Sequence, residues 1–144
     1  MIRFISAEQT LPLRSLVLRD SLPLEECTFA QDNDLTTFHL GLFTESQELI
    51  CILTCQKENH GKLPHDAYRL RGMATHPNHH RKGYASQLLQ AAESHIKTQL
   101  EVDYLWFNAR EIAFAFYLSQ GFEFMSELFE IPGIGPHKEM FKLL

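Results

Sequence analysis

The sequence predicts an α/β protein, a central mixed sheet of about seven strands flanked by helices. Three observations predict it. Short apolar runs of strand length fill the first half of the chain. Two stretches with helical apolar spacing interrupt the strands of the second half, giving β-α-β-α-β-β. Clusters of Gly, Pro, Asn and Asp punctuate the runs. At 144 residues, a single domain spanning 1–144 is expected.

Ile2 to Ile5 reads as a short first strand. Thr10 is a candidate cap for a helix from Leu11 to about Arg19, with Pro12 in its first turn. Leu13, Leu16 and Val17 give that helix an apolar face. Leu22 to Leu35 is irregular and acidic. Thr36–Phe43 and Leu49–Gln56 read as a hairpin pair, the second continuous enough in apolar residues to lie centrally. Ala67–Thr75 is a fourth strand, with Tyr68, Leu70 and Gly72 on one face. A helix follows to about Thr98, its buried stripe Ala85, Leu88, Leu89, Ala92 and Ile96. Tyr104–Ala109 is a fifth strand, and Ile112–Gln120 a short helix closed by Gly121. Phe122–Phe129 and His137–Leu144 complete the strands.

Apolar residues make up 44% and charged residues 22%, which excludes intrinsic disorder. A net charge of −5 argues against nucleic acid as a partner. No apolar run is long enough to span a bilayer, and no secretion signal is recognisable, so no membrane association is expected. Cys27, Cys51 and Cys55 are odd in number, which fits reduced thiols in a cytoplasm. Cys51 and Cys55 share a strand face but lie too far apart along it to bridge.

The most informative stretch is His80-Arg81-Lys82-Gly83-Tyr84-Ala85, between a strand and a helix. Free N–H groups in the first turn of a helix can hold a diphosphate. Gly83 and Ala85 are small where backbone must approach an anion, Arg81 and Lys82 add charge, and Ser86 adds a hydroxyl. The stretch fits neither a P-loop nor a dinucleotide fingerprint.

The fourth strand, turn and helix resemble the cofactor motif of the GNAT superfamily of N-acetyltransferases, [QR]-x-x-G-x-[GA]. Pro77, Gly83 and Ala85 match, and His80 stands where Gln or Arg is usual. Asn108 to Phe122 resembles the family's N-x-x-A-x-x-x-Y-x-x-x-G-F segment. Ala113, Tyr117, Gly121 and Phe122 match, with Arg110 in the usual Asn place. L-R-G-M-A, W-F-N-A-R and G-I-G-P-H are similar to the ElaA-like bacterial branch.

The resemblance implies a GNAT fold with a mostly antiparallel, splayed sheet, and acetyl transfer from acetyl-CoA to a primary amine of a small molecule or protein. It implies that the pantetheine arm pairs with the backbone of Met73, Ala74 and Thr75. His80, Arg81, Lys82, Gly83, Tyr84, Ala85 and Ser86 would hold the phosphates, with Asn108, Ala113 and Phe116 as further cofactor contacts. Tyr117 would protonate the leaving thiolate.

The base stays open. Glu25, Glu26, Asp32 and Asp34 crowd the acidic loop, and His39 and His137 are further candidates; Glu26 and His137 are the chosen pair. The acidic loop suggests a cationic acceptor. His76, His79 and His80 lack the spacing of a metal site, so no metal is expected. The alternative function is a catalytically silent acyl-CoA sensor or partner module, and a metal-dependent hydrolase is a third. The chain is expected to be a monomer or a homodimer.

Overall fold

A computed structural model describes residues 1–144. One eight-stranded sheet organises them: β1 (Ile2–Ile5), β2 (Phe38–Phe43), β3 (Leu49–Lys57), β4 (Ala67–Thr75), β5 (Tyr104–Arg110), β6 (Glu123–Phe124), β7 (Phe129–Ile131) and β8 (Gly135–Leu143). The order is β1-β2-β3-β4-β5-β8-β6, with β7 also on β8. Only β4 and β5 run parallel. The helices are α1 (Ala7–Leu13), α2 (Tyr84–Thr98) and α3 (Phe114–Ser119). No helix is long and apolar enough to cross a membrane.

The amphipathic stripe of α2 lies where its spacing puts it. Leu88, Leu89, Ala92 and Ile96 are buried against β2, β3 and β4. Each large side chain contributes roughly 1.5–3 kcal/mol by leaving water. On the opposite face Leu13 of α1 packs with Ile52 and Ala74. The sheet is therefore covered on both sides, and β3, between them, is buried from Ile50 to Gln56.

Three expectations need correction. Helix α1 begins four residues before Leu11, because Ser6 and Gln9 form a capping box: Ser6 Oγ accepts from the Gln9 N–H (3.2 Å) and Gln9 Oε1 from the Ser6 N–H (2.8 Å). Pro12 thus sits in the second turn, and Arg14–Leu18 continues as a π-helix. The wider turn rotates Leu16 into solvent instead of onto the apolar face. The last helix opens with a 3₁₀ turn, Glu111–Ala113, before α3. The single strand expected over Phe122–Phe129 is two short pieces, β6 and β7, on either side of a turn.

The decisive irregularity is in β4. Ile52 pairs with Ala74 and Thr54 with Arg71, so Leu53 alone opposes Gly72 and Met73. This is a β-bulge, and Gly72 holds it at φ +58°. A Cβ there would meet the Phe29 ring at 2.9 Å and Arg14 Nε at 3.2 Å. Gly72 therefore faces Phe29 and not the Tyr68–Leu70 side: the extra residue flips the alternation. Parallel pairing of β4 with β5 stops at Arg69–Trp106. Beyond it β4 stays on β3 and β5 stays on β8, and the sheet splays open between them.

Candidate active site

The splay forms a cleft of about 390 Å³. Met73, Asn108, Arg110, Ala113 and Tyr117 line it, together with Phe29 from the irregular loop. Tyr117, on α3, points its hydroxyl at Met73 Sδ (3.7 Å), and its ring packs on Phe107 with centroids 4.3 Å apart. Burial, and then the nearby Cys51 thiol, push its phenol well above the ordinary range. Tyr117 is consequently protonated throughout the neutral range and can act only as a donor until it has given its proton away. Ala113 lies one turn before it on the same side. Phe116 packs between the core and Tyr117 and does not line the cleft.

The other half of the site starts where β4 ends. Gly83, at φ +79°, caps α2 without a side-chain acceptor, and Arg81 is also left-handed at φ +60°. Left-handed residues at alternate positions are the backbone pattern from which anion-binding concavities are made. From Arg81 to Ser86 no backbone N–H finds a protein acceptor; the first hydrogen bond of the turn is Gln87 N–H to the Gly83 carbonyl (3.0 Å). A Cβ on Gly83 would meet nothing within 4 Å, so the space above those amides is open. A diphosphate fits this donor set: it is anionic, accepts several N–H bonds at once, and complements the helix dipole. His80 Nε2 lies 3.1 Å from the Thr75 carbonyl and ties this turn back to the end of β4. The Ser86 hydroxyl donates to Gln120 Oε1 (2.9 Å), fastening the start of α2 to the end of α3. Tyr84 packs on the core beside His79.

Met73, Ala74 and Thr75 form the β4 edge after the bulge. Met73 lines the cleft, Ala74 is buried against α1, and Thr75 Oγ1 lies 3.3 Å from Cys51 Sγ. Asn108 lies opposite, on β5.

The candidate bases are placed elsewhere. Glu25 and Glu26 lie exposed in the 3₁₀ turn Leu24–Cys27, and Asp34 is exposed further along the same loop. None of them lines the cleft. His137 is buried where β8 begins, with Nδ1 2.8 Å from the Gly135 carbonyl and its ring beside Phe129. It does not line the cleft either.

Asp32 and His39 belong to a buried network. Arg14 Nη1 and Nη2 donate to the two Asp32 oxygens (2.7 and 2.9 Å), and Nη2 also to Thr54 Oγ1 (2.8 Å). Phe29 N–H donates to Asp32 Oδ2 (2.9 Å). Thr54, already accepting from Arg14, donates to His39 Nδ1 (2.7 Å), which leaves Nε2–H to donate to the Asp32 carbonyl (3.0 Å). Burial alone would raise the Asp32 pKa, but the Arg14 and Phe29 hydrogen bonds hold it below the ordinary carboxylate value. Both residues are fully engaged in fixing the loop onto β3. Sequence reading missed this network, whose members are up to 40 residues apart.

The histidines of the turn are likewise engaged locally. His76 Nδ1 accepts from the Asn78 N–H (3.1 Å), and His79 Nε2 lies 3.7 Å from Glu48.

Residues 39–124 match the family model described as the acetyltransferase (GNAT) domain. The chain belongs to the GNAT acetyltransferases. It is 35% identical over 144 residues, 99% of this chain and 95% of the relative, to the uncharacterized N-acetyltransferase YitI of Bacillus subtilis (strain 168). Its fold is similar to that of a GNAT-family acetyltransferase from Streptococcus pneumoniae (TM-score 0.73, 18% identity, 100% of this chain and 99% of that one). It is similar also to an aminoglycoside 6'-N-acetyltransferase complexed with coenzyme A (TM-score 0.77, 11% identity, 99% and 96%). These two likenesses concern the fold.

Proposed function

We propose that this GNAT protein transfers acetyl from acetyl-CoA to a primary amine by direct attack on the thioester. One observation carries the reading: a run of unpaired amides from Arg81 to Ser86 adjoins an open strand edge, and that edge faces a protonated tyrosine. The coenzyme A complex of the aminoglycoside acetyltransferase, a neighbour in fold, supports the choice of cofactor and of an amine acceptor. L-R-G-M-A, W-F-N-A-R and G-I-G-P-H support a place in the ElaA-like branch. The three free, buried cysteines suit a cytoplasmic protein.

When bound, acetyl-CoA supplies an acyl carbon already activated for attack by nitrogen. The amides between Arg81 and Ser86 hold its diphosphate, with Arg81 and Lys82 adding charge. The backbone of Met73, Ala74 and Thr75 takes the pantetheine as an added strand. An N–H of Met73 or Ala74 donates to the thioester oxygen as it gains charge. Asn108 holds the pantetheine amide or a water.

Tyr117 gives its phenolic proton to the departing sulfur as the C–S bond breaks and the C–N bond forms. It regains a proton, through solvent, from the nitrogen that has become an amide. The burial that raises the phenol pKa raises that of a thiolate in the same place, so the two stay matched.

Calorimetric titration with acetyl-CoA, followed by thiol release over an amine panel, tests the reading. Binding and turnover support it; absence of binding removes it. The sensor alternative draws support from the lack of any carboxylate or imidazole in the cleft lining, and predicts binding with no thiol released on any amine.

A further inference from the structure

The charge in the cleft has one sign. Arg19, Arg69, Arg71 and Arg110 line it, and no Asp, Glu or His does. The four are not equivalent. Arg69 is paired with Glu58 (3.3 Å) and lies over the Trp106 ring. Arg19 is exposed. Arg110 donates only to the Leu18 carbonyl, at 3.4 Å.

Arg71 is half-buried and has no hydrogen-bond or ion-pair partner. Its guanidinium rests on the Phe29 ring, 4.3 Å from the centroid, while Arg14 covers the other face at 3.8 Å. The Arg14–Asp32 pair fixes Phe29 and so fixes the platform on which Arg71 lies. Burial first, then Arg69 and Arg14, make the charged form of Arg71 less favourable than usual, against the opposing pull of Glu58 and Asp32, which are held by Arg69 and Arg14 respectively. A guanidinium held on a rigid platform in a cleft, without a carboxylate, lacks the anion its planar fork matches.

We infer that the acetyl acceptor is an amine that also carries a carboxylate, which Arg71 binds, with Arg110 as a second cation in the same cleft. This rests on the acetyltransferase reading above. It reverses the expectation of a cationic acceptor, because the acidic side chains behind that expectation lie outside the cleft or are locked to Arg14. It also bears on the missing base. Positive charge around an ammonium lowers its pKa, so the arginines that hold the carboxylate favour the neutral amine the reaction needs.

The test uses matched pairs: glycine and glycinamide, leucine and leucinamide, lysine and cadaverine, with spermidine as a wholly cationic amine. Glycylglycine and its amide separate a free amino acid from a peptide terminus as the source of the carboxylate. Thiol release at a fixed pH gives kcat/KM for each. The carboxylate member of each pair should exceed its partner by about tenfold or more, the scale of a charge-assisted hydrogen bond. Amides are the weaker bases and hold more free amine, so amine ionisation works against this result.

Arg71→Gln should collapse the ratio toward one and Arg71→Lys should restore part of it, with coenzyme A titration showing that each variant is folded. Preference for spermidine or the amides overturns the inference. If no amine gives thiol, leucine and leucinamide are titrated into protein saturated with coenzyme A. Carboxylate-dependent binding lost in Arg71→Gln upholds the carboxylate site at Arg71, while the transfer reading falls and with it the role of the bound amine as acetyl acceptor. Equal or absent binding overturns the inference.

Discussion

The turn before α2, which follows the end of β4, and the wall around Phe29, which lines the cleft, are built from different materials. The turn is backbone: amides left free by a glycine cap, with Arg81, Lys82 and Gly83 exposed around them. His80, where the family pattern has Gln or Arg, uses its side chain to tie the turn to β4. The wall is side chain. Arg14, Asp32, His39 and Thr54 hydrogen-bond one another, Phe29 lies between two guanidinium groups, and Gly72 leaves room for the ring. A site made of backbone depends on chain conformation more than on side-chain identity. A site made of side chains can be particular to one chain.

The largest way to break this contrast is at the wall. Asp32→Ala leaves the Arg14 guanidinium buried and unpaired, which should cost about 3–5 kcal/mol, read as a lower urea midpoint. A loss below about 1 kcal/mol would show that the ion pair does not hold the wall. Acid does the same reversibly. The folded pKa of Asp32 lies below its unfolded value, so its contribution is complete above about pH 4 and is lost as pH falls through the folded pKa. Glu139 on β8, opposite Asn108 and lowered against burial by His60 and Lys62, adds to the same acid-side loss. Thermal unfolding between pH 7 and pH 3 should show stability falling only toward the acid end.

Tyr117→Phe sharpens the contrast, since it removes a donor without touching the amides. It should lower kcat about 100-fold, in the range of general-acid effects. Acetyl-CoA affinity should hold by calorimetry. An unchanged kcat would remove Tyr117 from the chemistry.

Gly83→Ala tests the turn. The left-handed φ costs a Cβ-bearing residue roughly 1–2 kcal/mol, and the methyl enters the space above the amides, so affinity for coenzyme A should fall about tenfold. The smallest effect belongs to His80→Ala. Losing one exposed hydrogen bond to Thr75 should weaken that affinity by about 0.5 kcal/mol, the low end for a single hydrogen bond. A larger loss than that of Gly83→Ala would make the turn depend on a side chain after all.

Much of this molecule is legible in its sequence. The limits of β4 and the end of α2 agree with the sequence reading, as does the cap at Gly121, where the Phe122 N–H reaches the Tyr117 carbonyl (3.1 Å). The unpaired turn before α2 was legible too, because glycine and helix onset are local. The start of α1 was also written locally, in Ser6 and Gln9, but Thr10 and Pro12 offered a competing start. The bulge at Gly72 was hidden, since period-two alternation has no mark for an extra residue. Glu26 and His137 suggested themselves by chemical type, and type says nothing about which side of a sheet a residue reaches.

The sequence by itself determined the strands up to β5, the buried stripe of α2 and the free amides around Gly83, because each follows from periodicity or backbone preference within a few residues. Only the tertiary structure decided where the sheet opens, which acids are consumed by Arg14, and that Arg71 is left on Phe29 without a partner. Those depend on pairings such as Arg14 with Asp32 and Thr54, 18 and 40 residues apart. Neither composition nor local spacing carries that information, since a charge is free or paired only once the chain has brought its neighbours into place.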